Sequence, residues 1–380
     1  MDTTPHLPVG TLVDQAEDAS AGDPRAPAVL DPTRFNRHTF WCGQSGSGKT
    51  YALGVVLEQL LVQTRLPILV LDPNADFVRL AEVREDADPQ VAAALAGQEI
   101  RVLRSGPHPD AAQGVDWPER LHVRFAAMDI RMKAAVLRLD PMRDAEEYNE
   151  LLHLADAFAT RTPGREGFYA ALHDSDSHAR HQLLLRLQNL GVLEWDLWAW
   201  GAASAEDVVD ARPRATVLDL SGFATQHEPK VAALAVLDHL WASRDRREPL
   251  LVVIDEAHNL CSAEPFDPVE VALTERIVQI AAEGRKYGLW LLLSTQRPSK
   301  IHPNALSQCD NLGLMKMSSP RDLAELADWF GFAPAELLQR SPGFRQGQVL
   351  FAGGFVGQAA VVQMARRQTP EGGSDVRVPL

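Results

Sequence analysis

A short run of glycine, serine and one lysine near the N-terminus has the residue types that bind phosphate. It reads Gly43-Gln44-Ser45-Gly46-Ser47-Gly48-Lys49-Thr50 and fits the pattern G-x-x-x-x-G-K-[ST] at every required position. Gly46 and Gly48 allow a tight turn in which successive backbone N–H groups point inward at a phosphate chain. Lys49 is predicted to reach the β- and γ-phosphates, and Thr50 to place its hydroxyl on Mg²⁺.

The residues on both sides of this run have the pattern that a phosphate loop needs. Residues 38–42 read as a short buried strand, and residues 51–61 carry apolar side chains at helical spacing. A strand, a glycine loop and a helix start together form an anion site at a helix N-terminus. A chance match in a Gly/Ser-rich turn is the alternative. The predicted nucleotide-binding residues are Gly43, Gln44, Ser45, Gly46, Ser47, Gly48, Lys49, Thr50 and Tyr51.

Two adjacent carboxylates, Asp255 and Glu256, follow the apolar run 250–254 far downstream. Ligand sites of parallel sheets lie at the carboxyl ends of the strands, so a pair at a strand end suits catalysis. In a phosphate-loop enzyme the first carboxylate holds Mg²⁺ and the second polarises the attacking water. We therefore predict that Asp255 holds the metal and that Glu256 is catalytic. Two solvated acids that simply end a strand are the alternative.

Two further catalytic candidates lie near the next apolar run, 289–294. Gln296 follows it and could sense the γ-phosphate by hydrogen bonding, with Thr295 as the second choice. Arg285 precedes it and is the leading candidate for an arginine that stabilises the γ-phosphate of a neighbouring subunit, with Arg276 second. A polar strand end and a surface arginine without a catalytic contact are the respective alternatives.

Composition places limits on the kind of protein. The 380 residues, of which 46% are hydrophobic and 23% charged, suit a globular protein with a sizeable core. No apolar run approaches the 18 or so residues of a membrane span, the N-terminus does not resemble a signal peptide, and the three cysteines are far apart. These features predict a cytoplasmic protein without disulfides. The net charge of −14 excludes a general basic coat for nucleic acid but not a basic channel inside an acidic ring.

The order of patterns along the chain predicts an α/β fold. Near-continuous apolar strands alternate with helices, which indicates a mostly parallel sheet covered by helices on both faces. We predict an extended lead-in over 1–37 with one short strand at 10–13, a core over 38–127 and 206–366, and a tail over 367–380. Helical periodicity dominates 128–205, which we interpret as a helical insertion. A closing hairpin is expected over 348–364.

These blocks together resemble the HerA–FtsK group of ring-forming DNA-pumping ATPases, most closely the HerA-type proteins. The resemblance covers roughly residues 30–365. It includes the phosphate loop, an Asp-Pro motif with Asp72 and Asp76, the acidic motif at 254–260, and the blocks at 283–300 and 306–309. The phosphate loop alone indicates only a nucleotide hydrolase. The last two blocks are the most specific to this family.

The resemblance implies a RecA-like fold, a homohexameric ring, ATP with Mg²⁺ bound between subunits, and double-stranded DNA in the central channel. By motif position, Lys49, Thr50, Asp255, Glu256 and Gln296 take the roles given above. Only 42 residues precede Gly43, too few for the N-terminal β-barrel of HerA proteins, so we expect a short form. Such forms occur beside effectors in bacterial defence systems, which implies a partner nuclease or other effector.

Two other functions fit the same residues. The first is an ATP-gated ring that assembles and regulates an effector nuclease or NAD-consuming subunit, with translocation secondary. The second is a conjugative coupling-type ATPase, which the lack of an apolar membrane span disfavours.

Overall fold

The computed structural model describes residues 6–13, 26–106, 119–158, 164–173 and 176–372. Within them, twelve strands form one sheet. The strands are β1 Leu7–Leu12, β2 Pro27–Leu30, β3 His38–Cys42, β4 Ile68–Asp72, β5 Ile100–Arg104, β6 Glu119–Arg120, β7 Ala215–Asp219, β8 Leu250–Ile254, β9 Leu289–Thr295, β10 Cys309–Leu314, β11 Gln348–Gly353 and β12 Ala360–Met364.

The sheet combines a parallel part with an antiparallel edge. Its strand order is β2-β1-β12-β11-β10-β3-β9-β8-β4-β7-β5-β6. The strands from β10 to β6 in this order pair in parallel, and those from β2 to β11 pair antiparallel. Because the parallel strands run the same way, the residues after β3, β9, β8 and β4 all lie at the carboxyl end of these strands. We call this end of the strands the sheet edge.

The described helices, in chain order, are α1 Lys49–Gln63, α2 Pro89–Ala96, α3 Ile130–Val136, α4 Ala145–Phe158, α5 Arg165–His173, α6 His178–Leu190, α7 Ala205–Asp210, α8 Glu228–Ala242, α9 Pro268–Glu283, α10 Pro303–Leu306, α11 Pro320–Trp329 and α12 Ala335–Gln339. None of them combines the length and the apolar character that a bilayer crossing requires.

Helices cover the sheet on both faces, as the continuous apolar strands predicted. Alternate residues of β3 belong to two hydrophobic clusters: Phe40 and Cys42 to one, Trp41 to the other. The Trp41 side is covered by α1, whose Leu53, Val56 and Leu57 are in the same cluster. The Phe40 side is covered by α8 and α9. The α/β prediction of a mostly parallel sheet between helical layers is therefore confirmed.

The segment predicted as a helical insertion contains α3 to α6. Its apolar side chains, among them Leu151, Leu154, Leu183 and Leu187, belong to the same cluster as α8 and α9. The insertion thus packs on one helical layer of the sheet and shares its core. The boundaries at 128 and 205 stay predictions.

The segments predicted as a lead-in and a tail form more packed structure than the sequence suggested. The segment predicted as a mostly extended lead-in contributes β1, which pairs with β12, and β2, which pairs with β1. The short strand predicted at 10–13 begins earlier, at Leu7. Arg367 and Thr369, which were assigned to a tail, are fully buried, so residues 366–372 are packed structure. Residues 373–380 lie outside the described residues, as do 1–5 and 14–25.

His38, the first residue of β3, is a buried histidine held neutral by its surroundings. Its side chain is 0% exposed, and its Nδ1 accepts a hydrogen bond of 2.9 Å from the N–H of Leu291. Burial, aided by the positive charges of Arg285 and Arg37, lowers the pKa of His38 to about 4. Protonation of this ring is therefore disfavoured in the folded chain.

This burial predicts a specific loss of stability in acid. Between pH 6.5 and 4 the unfolded chain takes up a proton at His38 that the folded chain refuses, so the free energy of unfolding falls as the pH falls. The full shift corresponds to about 3 kcal/mol. His38→Asn keeps an acceptor for Leu291, and its urea-unfolding profile should be flatter over this range. His153→Asn, at an exposed site on α4, should follow the unaltered chain. Equal slopes for all three would contradict the assignment.

Candidate functional site

The glycine run forms a tight loop between β3 and α1. Gly46 has φ 76° and Gly48 φ 85°, in the left-handed region where glycine is favoured, and α1 begins at Lys49. Gln44 ties the loop to the segment that follows β10, because its N–H donates to the carbonyl of Lys316 at 2.8 Å. The carbonyl of Ser47 accepts from the N–H of Gly347 at 3.1 Å. The loop therefore presents the first N–H groups of α1 to a cleft at the sheet edge.

Lys49 lies between the two carboxylates predicted to face it. Its Nζ is 2.7 Å from Oδ1 of Asp255 and 3.2 Å from Oε1 of Glu256. It also donates to Oγ of Ser294 at 3.1 Å. Burial alone lowers the pKa of Lys49, but the charges of Asp255 and Glu256 and their hydrogen bonds outweigh burial, so its pKa is raised. The ammonium therefore stays charged in a site where only 8% of the residue is exposed.

The acidic pair is buried and tightly held. Asp255 is 0% exposed, and its Oδ1 accepts from Oγ of Ser294 at 2.7 Å. Burial raises the pKa of Glu256, but hydrogen bonding with His258 and the charge of Lys49 outweigh it and lower the pKa overall. Glu256 also has φ 41°, a conformation that costs a residue other than glycine about 1–3 kcal/mol. Such strain beside an ionised carboxylate indicates a functional position.

A third and a fourth carboxylate join the site from the end of β4. One oxygen each of Asp72, Asp76 and Asp255 lies within 4.8 Å of the other two. Asp76 accepts from the hydroxyl of Thr50 at 3.3 Å. Asp72 accepts from the N–H groups of Asp76 and Phe77, at 3.0 and 2.7 Å. Burial and the charge of Asp255 raise the pKa of Asp72 to about 7.

This oxygen-rich set could hold a magnesium ion. Carboxylate and hydroxyl oxygens are the ligands that Mg²⁺ prefers, and Oδ2 of Asp255 is buried without a hydrogen-bond partner. The predicted metal residues, Thr50 and Asp255, are both within this set. Sequence reasoning quoted Asp72 and Asp76 only as part of a family motif. The signal that could have found them is the position of Asp72 at the end of a fully buried strand.

The polar residues that follow β9 lie near the same edge. Gln296 lines the cleft and is partly exposed. Thr295 is buried, and its Oγ1 lies 3.0 Å from Nδ1 of His258 and accepts from the N–H of Arg297. Of the two candidates, Gln296 is therefore the one on the cleft wall. Sequence reasoning missed Ser294, which links Lys49 to Asp255, and His258, which orients Glu256.

The two candidate arginines lie away from this cleft. Arg285 is in the short 3-10 helix Gly284–Tyr287 before β9, and its Nη1 donates to Oδ2 of Asp310 at 2.6 Å. This is the amino end of the parallel strands, opposite the phosphate loop. Arg276 donates to Asp238 at 2.5 Å between α9 and α8, and its side chain is 12% exposed. Neither arginine is among the residues that line the cleft in its own chain.

The cleft is large enough for more than a phosphate chain. Its volume is about 950 Å³. The loop residues Gln44, Ser45, Gly46, Gly48, Lys49 and Thr50 line it together with Asn74, Asp76, Arg79, Arg84, Glu256, Gln296, Gln346, Pro370 and Glu371. Tyr51 faces another way, since its hydroxyl accepts from the N–H of Arg367 at 2.8 Å. The residues at 370 and 371 come from the segment that was predicted to be a tail.

The sheet order, the glycine loop at the start of α1 and the acidic strand end define a RecA-like protein of the phosphate-loop class. Comparison with solved structures gives the same fold. The VirB4 structure of Thermoanaerobacter pseudethanolicus aligns with a TM-score of 0.62 at 16% identity over 94% of this chain and 96% of that one. The conjugative coupling protein TrwB, in a form lacking its first 70 residues, aligns with a TM-score of 0.57 at 12% identity over 98% and 96%.

Within that class, sequence comparison finds similarity to the helicase HerA. Residues 7–177 match the family model of the central domain of the helicase HerA. A DNA double-strand break repair helicase HerA of Sulfurisphaera tokodaii is 32% identical over 128 residues, which is 33% of this chain and 25% of that protein. A probable helicase of Methanocaldococcus jannaschii is 21% identical over 98% of this chain and 69% of its own length.

The crowding of carboxylates predicts the effect of removing one charge. Burial and the charge of Asp255 raise the pKa of Asp76, so its ionised form is disfavoured in the folded chain. Asp76→Asn keeps an acceptor for Thr50 and relieves this repulsion. In EDTA, its free energy of unfolding should exceed that of the unaltered chain.

Addition of Mg²⁺ should reverse this order, because binding to the native state stabilises the unaltered chain more than the variant. Urea unfolding with and without Mg²⁺ measures both effects. Asp328→Asn, at an exposed site on α11, is the control and should respond to Mg²⁺ like the unaltered chain. An Asp76→Asn protein that is destabilised in EDTA would contradict the repulsion.

Proposed function

We propose that the chain is a Mg²⁺-dependent ATPase that drives movement along double-stranded DNA. One observation carries the proposal: strands β3, β9, β8 and β4 bring Lys49, Ser294, Asp255, Glu256 and Asp76 together beside an amide-lined loop. A lysine held 2.7 Å from one carboxylate and 3.2 Å from the next is placed to exchange these partners for phosphate oxygens and a metal.

Each residue has a role that its surroundings allow. The N–H groups of residues 46–50 and the ammonium of Lys49 bind the phosphates. Thr50 and Asp255, with Asp76 beside them, would hold Mg²⁺, and the ion would supply positive charge next to the transferred phosphoryl group. Glu256, ionised and fixed by His258, orients and polarises a water molecule. Gln296 on the cleft wall senses the γ-phosphate.

Fewer observations support DNA as the substrate than support ATP hydrolysis. The curated relatives are named as helicases, five of them with DNA double-strand break repair in their names, and this chain aligns with between 20% and 69% of their lengths. At the sheet edge that carries the site, the exposed Arg297 follows Gln296 directly, and Lys300, three residues further on, is also exposed. A local basic loop of this kind can contact a phosphate backbone although the whole chain has a net charge of −14.

We extend the proposal to a homohexamer that works with a nuclease or another effector, in DNA processing or antiviral defence. A ring explains why Arg285 lies far from its own phosphate loop and is 34% exposed at the opposite edge. We also assign the catalytic core to 38–127 and 206–366, to which Pro370 and Glu371 add part of the cleft wall. None of the residues that line the described cleft belongs to 128–205, which supports a separate role for the helical insertion.

Substitution of Glu256 tests the ATPase directly. Glu256→Gln keeps the shape of the side chain but removes the charge that polarises water, so we expect ATP binding within about twofold and turnover reduced at least a hundredfold. Phosphate release and equilibrium binding measure the two quantities. Glu264→Gln, an exposed glutamate further along the chain, should keep full turnover. Unreduced turnover in Glu256→Gln would remove this residue from the mechanism.

DNA dependence separates the motor from the alternative of an ATP-gated scaffold. The isolated protein should hydrolyse ATP several times faster when double-stranded DNA is added, and the stimulation should weaken as salt increases. A rate of ATP hydrolysis that DNA does not change, but that an added effector protein raises, would favour the scaffold instead.

Mixing two inactive variants tests whether Arg285 acts on a neighbouring subunit. In a ring, a subunit carrying Arg285→Ala still has Glu256, and a neighbour carrying Glu256→Gln still has Arg285. A mixture should therefore regain about a quarter of the normal turnover, while each variant alone stays inactive. Arg276→Ala in place of Arg285→Ala is the control for the second candidate. No recovery in the Arg285 mixture, with ring assembly intact by mass measurement, would contradict a role between subunits.

A further inference from the structure

After β12 the chain remains packed against the rest of the protein as far as residue 372. Residues 366–372, which we call the strap, cross α1 and reach the nucleotide cleft. Arg367 and Thr369 are both 0% exposed, and Glu58 of α1, which they contact, is 1% exposed. These two strap residues are thus as deeply buried as the core, although the sequence pattern predicted a tail.

A single carboxylate on α1 anchors the strap. Glu58 accepts hydrogen bonds from the N–H of Gln368 at 2.9 Å and from both the N–H and the hydroxyl of Thr369 at 2.7 Å. The guanidinium of Arg367 lies 3.9 Å from the same carboxylate. A Cβ on Gly54, one turn earlier in α1, would overlap this guanidinium, so only glycine fits at the crossing.

The strap also holds the two parts of the phosphate and metal site. Nη1 of Arg367 donates to the carbonyl of Thr50 at 3.3 Å. The N–H of Gly372 donates to the carbonyl of Asp76 at 3.1 Å. Arg84, in the segment after β4, donates through its N–H to the carbonyl of Gln368 at 2.9 Å. The strap therefore joins α1 to the loop that carries Asp76.

Pro370 and Glu371 lie between these anchors and form part of the cleft wall. The residues that bind the phosphates line only part of the cleft. The remaining lining consists of Asn74, Arg79, Arg84, Gln346, Pro370 and Glu371. A nucleotide whose phosphates lie on residues 46–50 has to place its ribose and base against this remaining part.

The chemistry of these two residues suits a ribonucleoside. A carboxylate is acceptor-only and pairs with two adjacent hydroxyl donors, as acidic residues do with ribose in dinucleotide sites. Nη1 of Arg367 lies 3.9 Å from Oε1 of Glu371, which offsets the repulsion between this carboxylate and the phosphates. The ring of Pro370 offers a flat apolar surface to a base.

We propose that the strap is the nucleoside subsite of the cleft: Glu371 binds the ribose hydroxyls, Pro370 packs against the base, and the Thr369–Glu58 anchor holds both in place. This inference rests on the proposed nucleotide function. It adds the residues that bind the ribose and the base, which the phosphate loop does not contact. Glu371 contacts the ligand, whereas Thr369 is a positioning residue.

The test compares ligands with and without a ribose, in the Glu256→Gln background so that ATP is not consumed. Calorimetry gives the affinities of Mg²⁺-ATP, of 2′,3′-dideoxy-ATP and of inorganic triphosphate. The parent should bind ATP about tenfold more tightly than dideoxy-ATP. Glu371→Ala should bind ATP about tenfold more weakly, lose that preference and keep its affinity for triphosphate. Glu99→Ala, at an exposed site before β5, should match the parent for all three ligands.

A second pair of variants tests the anchor. Thr369→Val removes the hydroxyl that donates to Glu58 and should weaken ATP binding but not triphosphate binding. Thr369→Ser keeps that hydroxyl and should bind ATP like the parent. If the affinities for ATP and for triphosphate fell equally, the strap would support metal binding or folding and not nucleoside binding. That result would overturn the inference. Unchanged ATP binding in Glu371→Ala would also overturn it. A parent that binds neither ATP nor triphosphate would contradict the proposed function, and the strap inference with it.

Discussion

The site depends on keeping one lysine charged while it is almost removed from water. Lys49 reaches two carboxylates and a serine hydroxyl, and these partners offset the cost of burying its charge. They can do so because β3, β9 and β8 are neighbours in a parallel sheet and end at one edge. A buried ion pair adds little to stability when both charges must be desolvated, so an arrangement of this kind indicates function rather than folding.

The surroundings of that lysine separate the acids into two groups. Glu256 is ionised because His258 and Lys49 contact it, despite a strained backbone at its own position. Asp72 and Asp76 are pushed toward protonation by burial and by their closeness to Asp255. Glu256, Asp72 and Asp76 thus differ in how readily they ionise because their partners differ. A bound cation would change this balance, since it compensates the repulsion that now raises the pKa values of the second group.

The second part of the cleft is held by interactions of another kind. Glu58 is a buried acid near the middle of α1, and it accepts its hydrogen bonds from backbone N–H groups and one hydroxyl of the strap. Arg367 lies over the ring of Phe77, with its guanidinium carbon 5.4 Å from the ring centroid, next to the loop that carries Asp76. One end of the cleft is therefore built from strand ends, and the other from a segment that returns to α1 after the sheet is complete.

The local sequence pattern was sufficient to predict those strands, loops and site residues that are determined by one short stretch of chain. The apolar runs that became β3, β8 and β9, the glycine spacing of the phosphate loop and the acids after β8 are all visible in short windows, because strand burial and loop conformation depend on adjacent residues. Helices on both faces followed from the same strands. Lys49, Thr50, Asp255, Glu256 and Gln296 were named on this basis, and all five line or adjoin the cleft.

Contacts between distant segments decided the rest. Nothing near Ser294 in the sequence reveals that its hydroxyl lies between Lys49 and Asp255, because that position depends on which strands are neighbours. The strand β2 has only four residues and the strap has no regular pattern, so neither is recognisable in isolation. The contacts that hold them are made elsewhere in the fold: β2 pairs with β1, and the strap hydrogen-bonds to Glu58. Local sequence therefore determined the chemistry of the phosphate end. The packing of segments hundreds of residues apart, which no single window contains, decided which side chains complete the cleft.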